Sequence, residues 1–306
     1  MIKQIMGPLQ KLQRYWNWKR VCNNIKYLIK NDLKEEWYRL KDESIEDCVY
    51  EFDELKQMLP RLSILDEKET IRTLRDAPKS YSRFGDGEIG IIHGRDMPFQ
   101  DYYPELASKM VDILSKKRDN LYVGLNASYF QSPAKYRERN RKFYRLNGTA
   151  YRRFFVDICD PDNLYLDAGA LGGYFKQGDD FDIDAQFREI RNLFAKKSIA
   201  VVCGEGILDD LEYDLFDLCN DRITIGAPRI NAFASYDEIV ERIKKEVPKD
   251  YLVCIILGMT ATVLAADLAD EGYIAWDIGH APKEYDYYMR GVEKTDTVIE
   301  KFYAPD

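Results

Sequence analysis

Asp86 and Glu88 stand one glycine apart in the run Ser82-Arg-Phe-Gly-Asp-Gly-Glu88. Two carboxylates at that spacing suit a hard divalent cation. Magnesium or manganese is commonly held by one or two carboxylates, with substrate phosphates completing the shell. Gly85 and Gly87 let the backbone bend so that both side chains could reach one ion. Arg83, two residues upstream, is a planar donor matched to phosphate. The chemistry these residues suggest is metal-assisted binding of a phosphorylated substrate, although Asp-Gly-Glu is equally an ordinary turn sequence.

Other residues with chemical potential fall near the ends of apolar runs. Gly204-Glu205-Gly206 follows the run Ser198–Cys203. It opens like a dinucleotide loop, but position 209 is Asp where that fingerprint needs its third glycine, which argues against a nicotinamide site. Glu205 could bond a ribose or a base, or be solvated. Gly258-Met-Thr260 begins a helical pattern, so Thr260 either helps bind an anion at a helix start or simply caps it. His280 follows Trp276-Asp277-Ile278-Gly279, with Glu284 and Asp286 soon after. A histidine there could ligate metal or serve as a general base. His93, the only other histidine, is expected to pack near the first loop.

The elements that must position these residues are legible from about residue 79 onward. Strands are expected at Asn120–Leu125, Asn163–Asp167, Ser198–Cys203, Arg222–Ile225, Leu252–Leu257 and Tyr273–Ile278. Helices are expected over 137–155, 208–219, 235–247 and 260–271, the third opened by a capping box of Ser235 and Glu238. Strand, helix and strand within ~30 residues is a βαβ unit. The fold class is therefore α/β, a Rossmann-like parallel sheet with helices on both faces. Ligands of such sheets sit beyond the carboxyl ends of the strands, so the glycine, threonine and histidine tips should share one rim. The basic run 137–155 reads as a solvated helix face that could instead meet a nucleotide or an acidic acceptor.

Residues 1–78 read as a helical N-terminal extension to a domain spanning 79–306. Within 1–30, seven Lys and Arg residues and no acid accompany helically spaced Ile2, Ile5, Met6, Leu9, Leu12 and Trp16. A basic amphipathic helix with tryptophan can lie on an anionic membrane face or pack on a partner protein. The chain has 306 residues and a net charge of −8, which argues against nucleic acid as a partner. Its six cysteines are irregularly spaced and form no CxxC, as expected of free thiols in a reducing compartment. No apolar run approaches the ~18 residues of a membrane span, and no signal peptide is evident at the N-terminus. The expected location is cytoplasmic; residues 1–30 would either pack on the body of the protein or a partner subunit or, as the alternative, attach peripherally at the inner face of the membrane.

The ordered series 82–88, Phe99-Gln100, Asn231-Ala-Phe, Leu257-Gly-Met-Thr-Ala-Thr-Val-Leu-Ala-Ala-Asp-Leu268, Asp277-Ile-Gly-His280 and Glu284-Tyr285 resembles the GT-D glycosyltransferases. These are bacterial sugar-nucleotide enzymes with a Rossmann-like fold and a DxE metal motif. The resemblance covers roughly 79–303. It implies that Asp86 and Glu88 hold manganese or magnesium against a UDP-sugar diphosphate, with Arg83 assisting at the phosphates or sugar. It further implies that Phe99, Gln100 and Asn231 contact the donor, and that His280 and Glu284 lie across the site. Glu284 would be the base for an acceptor hydroxyl on a glycan or lipid-linked acceptor. The chain departs from the family pattern at 206–214, where acids replace a basic contact, and at Met259, where proline is usual. The alternative is a sugar-nucleotide-binding or interaction module that has lost turnover. A weaker reading is a phosphohydrolase.

Overall fold

The computed structural model describes residues 62–130 and 135–304. Its eight strands are β1 (Ser63–Ile64), β2 (Ser80–Phe84), β3 (Leu121–Leu125), β4 (Leu164–Asp167), β5 (Ser198–Gly204), β6 (Asp221–Ala227), β7 (Leu252–Ile256) and β8 (Ile274–Asp277). They form one sheet in the order β1-β4-β3-β2-β8-β7-β5-β6, and every pairing is parallel. The central strands are apolar runs without alternation: Val201, Val202, Val253, Cys254 and Ile255 are fully buried. That is the pattern of strands covered on both faces. The outer strand β6 instead alternates toward solvent.

The helices are α1 (Glu67–Asp76), α2 (Asp86–Ile92), α3 (Pro104–Ser115), α4 (Glu138–Ile158), α5 (Ile183–Phe194), α6 (Tyr236–Glu246), α7 (Met259–Asp270), α8 (Ala281–Met289) and α9 (Asp296–Tyr303). One core joins α3, α4, α6 and α7 to the sheet through residues such as Met110, Phe155, Ile243 and Leu264. A second core on the other face joins α1, α5, α8 and α9 through Leu74, Phe187, Tyr285 and Phe302, around Trp276 of β8. The α/β reading therefore holds, with helices on both faces. Helix α7 is apolar on all sides and sits against β2 and β8. There Ser82 donates to the Thr262 carbonyl (2.7 Å), and the Thr262 hydroxyl donates to the Arg83 carbonyl (3.0 Å).

The order places a switch point at the centre. Strand β2 leads into α2 and the first core, while its neighbour β8 leads into α8 and the second. Chains leaving adjacent strands in opposite directions open a crevice beyond their carboxyl ends.

Three expectations change. Residues 208–219 form turns rather than a helix, because carboxylates capture the backbone N–H groups that a helix would use. Asp286 accepts from Glu212 N (2.9 Å) and Tyr213 N (3.0 Å), and Asp214 accepts from Phe216 N (2.9 Å). The Ser235–Glu238 capping box does not form: Ser235 occupies the N-cap of α6, but its side chain makes no cap bond. The sheet also begins upstream of residue 79, since Ser63 and Ile64 pair with Leu164 and Tyr165 and α1 packs against α5. The basic helix read over 1–30, and the rest of the expected helical extension up to residue 61, lie outside the described residues.

Candidate active site

The crevice is a cleft of about 1020 Å³ bounded by the ends of β2 and β8, the 207–211 turn, α4 and the end of α9. Arg83, Asp86, Glu88, Phe99 and His280, all singled out by sequence, line it.

Arg83 leaves the last turn of β2 and is tied to the neighbouring strand. Its Nη2 donates to Asp277 Oδ1 (2.8 Å) and its Nη1 to the Ala168 carbonyl (3.1 Å). Gly279 N donates to the same Asp277 oxygen (3.0 Å). Burial pushes the Asp277 carboxyl up, although the Arg83 guanidinium beside it pulls the other way. Gly279 is required here: its φ is +50°, and a Cβ on it would lie 1.9 Å from Arg83 Nη2. Arg83 Nε is buried and has no partner among the described residues, which leaves one donor for a ligand.

Asp86 and Glu88 are not in a turn; they open helix α2. Asp86 is exposed at the first helical position. Glu88, half-buried, folds back so that Oε2 accepts from Gly85 N (2.7 Å). Burial pushes the Glu88 carboxyl up to about 7, helped by the negative Asp277 and Asp86, while the Gly85 N–H opposes the shift. A cation beside Glu88 would offset that crowding of negative charge. Among the described residues no cluster of three or more His, Cys, Asp and Glu side chains is placed to cage a metal. Two carboxylates on an open wall nonetheless suit a magnesium or manganese ion whose other ligands are phosphate oxygens and water. The donor set thus fits a cation shared with a substrate.

That carboxyl sets a pH dependence. Below about 7 Glu88 is protonated and cannot serve as an anionic ligand. Were Asp86 and Glu88 to hold manganese, its affinity would rise about tenfold from pH 6 to pH 8. Electron paramagnetic resonance titration of free manganese measures it. A flat profile for the native protein, or an unchanged slope in Glu88→Gln, would remove Glu88 from the ligand set.

His280 is the N-cap residue of α8. Burial, then the cations Arg83, Lys176 and Lys283, lower its pKa to about 4, so its ring is neutral near pH 7. It lies among the rings of Phe99 (6.1 Å), Phe302 (5.4 Å) and Tyr303 (5.6 Å).

Five further residues expected at the ligand surface are elsewhere. Gln100 is buried behind Phe99: its Oε1 accepts from Thr260 Oγ1 (2.8 Å) and Phe233 N (3.1 Å), and its Nε2 donates to Asn231 Oδ1 (2.6 Å). Gln100, Asn231 and Thr260 therefore form one internal network that fixes the Phe99 loop to the start of α7. Thr260 is fully buried and binds neither as an open anion site nor through its own helix cap. Glu205 is exposed and does not line the cleft. Glu284 is buried, and its Oε2 accepts from Gly173 N (2.5 Å) and Tyr174 N (2.9 Å). It anchors the turn behind the wall. His93 packs as expected, its Nδ1 against the Ile89 carbonyl (2.8 Å) and its ring on Phe154.

Sequence reading missed three residues of the cleft: Tyr129, Lys176 and Tyr303. The signal available was positional. Lys176 follows Gly172-Gly173 in the segment after β4, whose carboxyl end shares the same rim. The basic run over 137–155 divides: Arg139 lines the cleft while paired to Asp296 (3.1 Å), and Arg153 is exposed.

Residues 81–305 match the family described as Glycosyltransferase GT-D fold. The chain is 29% identical over 242 residues to Glycosyltransferase GlyD of Streptococcus pneumoniae serotype 4, covering 79% of this chain and 29% of that protein. It is 26% identical over 231 residues to the probable glycosyl transferase Gly of Streptococcus gordonii, covering 76% of this chain and 34% of that one. The chain thus spans only about a third of the length of these relatives. A solved domain of unknown function 1792, described as having a distinct glycosyltransferase fold, superposes with a TM-score of 0.71 at 32% identity, covering 76% of this chain and 84% of that one. A glycosyltransferase of the same domain type from Streptococcus sanguinis superposes at 0.70 and 29% identity, covering 76% and 86%.

Proposed function

Because the chain belongs to the GT-D glycosyltransferase family, we propose that it transfers a hexose from a UDP-sugar to a hydroxyl of a glycan or lipid-linked acceptor, with manganese or magnesium bound. The setting would be bacterial surface polysaccharide or glycoprotein biosynthesis. The observation that carries this reading is the position of Asp86 and Glu88. They stand at the switch-point crevice, with an unsatisfied Arg83 donor in the same cleft.

In this reading Asp86 and Glu88 hold the metal, which when bound neutralises charge on the departing nucleotide. Arg83 Nε donates to a phosphate or sugar oxygen. Phe99, held by the Gln100 network, presents a ring for the base or sugar. The neutral His280 ring can accept a hydrogen bond from the incoming hydroxyl. Glu284 keeps the 173–174 turn in place instead of meeting the acceptor directly. We place the protein in the cytoplasm, with residues 1–30 touching the inner membrane face or a partner protein. Among the described residues no helix is long and apolar enough to cross a membrane.

The test is a thermal-shift screen of nucleotide sugars with and without manganese, followed by an assay for UDP release. A donor at a hundredfold excess over its dissociation constant stabilises by ~2.7 kcal/mol, which corresponds to a rise of roughly 5–10 °C. One UDP-sugar should give that shift with manganese and a smaller one without it, and UDP release should follow when acceptor is added. No shift with any nucleotide sugar would refute the proposal. Binding without transfer to any acceptor would favour the non-catalytic module. Donor hydrolysis indifferent to acceptors would favour a phosphohydrolase.

A further inference from the structure

Three polar groups on the wall formed by the 127–129 turn, the 172–177 segment and α9 have no role in the account so far. Tyr129 is fully buried, lines the cleft and has a hydroxyl that lies near the Asn126 amide but has no acceptor for its own proton among the described residues. Tyr303, at the end of α9, also lines the cleft and buries an unpartnered hydroxyl. Buried polar atoms are normally satisfied, and an orphan facing a cavity calls for a ligand. Lys176 lines the same cleft. Burial disfavours its ammonium, but Tyr144, Tyr303, Glu284 and Asp86 around it raise its pKa, so it stays protonated.

The backbone holds Lys176 in place. Lys176 N and Gln177 N both donate to the Gly173 carbonyl (3.1 and 2.9 Å), and the Lys176 carbonyl accepts from Arg137 N (3.0 Å). Glu284 pins the preceding residues through Gly173 N and Tyr174 N. Although the whole chain carries net charge −8, the cleft lining holds more Lys and Arg than Asp and Glu.

We infer that Lys176, with the hydroxyls of Tyr129 and Tyr303, forms an anion subsite for the diphosphate of the nucleotide, in the cleft that Arg83 also lines. This rests on the reading of the cleft as a sugar-nucleotide site. A cation and two O–H donors that lack acceptors of their own match phosphate oxygens; a neutral sugar face would not need the charge. A diphosphate bound in the cleft would touch Lys176 while lying close to the Asp86 and Glu88 pair. Lys176 therefore acts as a binding residue whose effect does not depend on metal.

Calorimetric titration of UDP, uridine and pyrophosphate tests the subsite, in EDTA and again with manganese. Lys176→Met is expected to weaken UDP and pyrophosphate about 10- to 100-fold in both conditions, as loss of a charge-assisted hydrogen bond requires. Uridine binding should not change. Tyr303→Phe, which removes only a hydroxyl and guards against a folding defect in the lysine variant, should weaken UDP several-fold, about 3- to 10-fold. UDP affinity within about twofold of the native protein in both variants overturns the subsite while leaving the sugar-nucleotide reading intact. Equal losses for uridine and UDP also overturn it, since that marks general damage to the cleft. Failure of the native protein to bind any nucleoside diphosphate, GDP and dTDP included, overturns the functional reading itself.

Discussion

Replacing Asp86 and Glu88 together with alanine is expected to lower the rate of sugar transfer by about a thousandfold. The estimate follows from the proposed role. A bound cation supplies several kcal/mol of stabilisation to charge developing on the leaving phosphate, and ~4 kcal/mol corresponds to about three powers of ten in rate. The fold should tolerate the change. Asp86 is exposed, and Glu88 makes one backbone hydrogen bond, to Gly85 N. Loss of two acidic groups from a helix N-terminus costs only about 0.3–1 kcal/mol each. Glu88→Gln separates the two effects, because its amide oxygen can still accept from Gly85 N while the anionic ligand is gone. It should keep its melting temperature and lose most of its manganese-dependent activity. UDP release at the native rate from the double variant would sink the metal role.

The parts of this architecture that were legible are those where one physical demand dominates. Strands β5 and β7 are unbroken apolar runs because both of their faces are covered, and no other structure fits such short runs between glycine turns. Strand β1 was illegible. It is two residues long, and only its pairing to Leu164 and Tyr165 makes it a strand. Residues 208–219 carry helical spacing in Leu208, Leu211 and Leu215, yet distant Asp286 takes the N–H groups of Glu212 and Tyr213, a competition invisible along the chain. The same limit governs the site. The motif order brought Phe99, Gln100, Asn231 and Thr260 together correctly, since they meet in space. It could not say that Phe99 faces the cleft while the other three bond to one another behind it. Lys176 has no motif at all. Its role depends on a turn that Glu284 holds from 111 residues away in the case of Gly173.

Asp277→Asn should destabilise the fold by up to about 3–5 kcal/mol, because it leaves the Arg83 charge without its partner. The carboxylate is 2% exposed, and the pair's Nη2–Oδ1 distance is 2.8 Å. Arg83 has little freedom to seek water, since its Nη1 is bound to the Ala168 carbonyl and Gly279 closes against its Nη2. For a domain of this size the loss corresponds to a fall in melting temperature of roughly 6–20 °C. Removing both charges with Arg83→Met/Asp277→Leu should recover much of the stability, because an apolar pair carries no desolvation cost. It should not recover donor binding, because the Arg83 Nε donor is gone. A thermal melt of each single and double variant, paired with UDP titration, completes the cycle. If stability and binding return together in the double variant, Arg83 serves only the fold. If stability returns and binding does not, the ion pair exists to hold a ligand-facing guanidinium at the one place where β2 and β8 part.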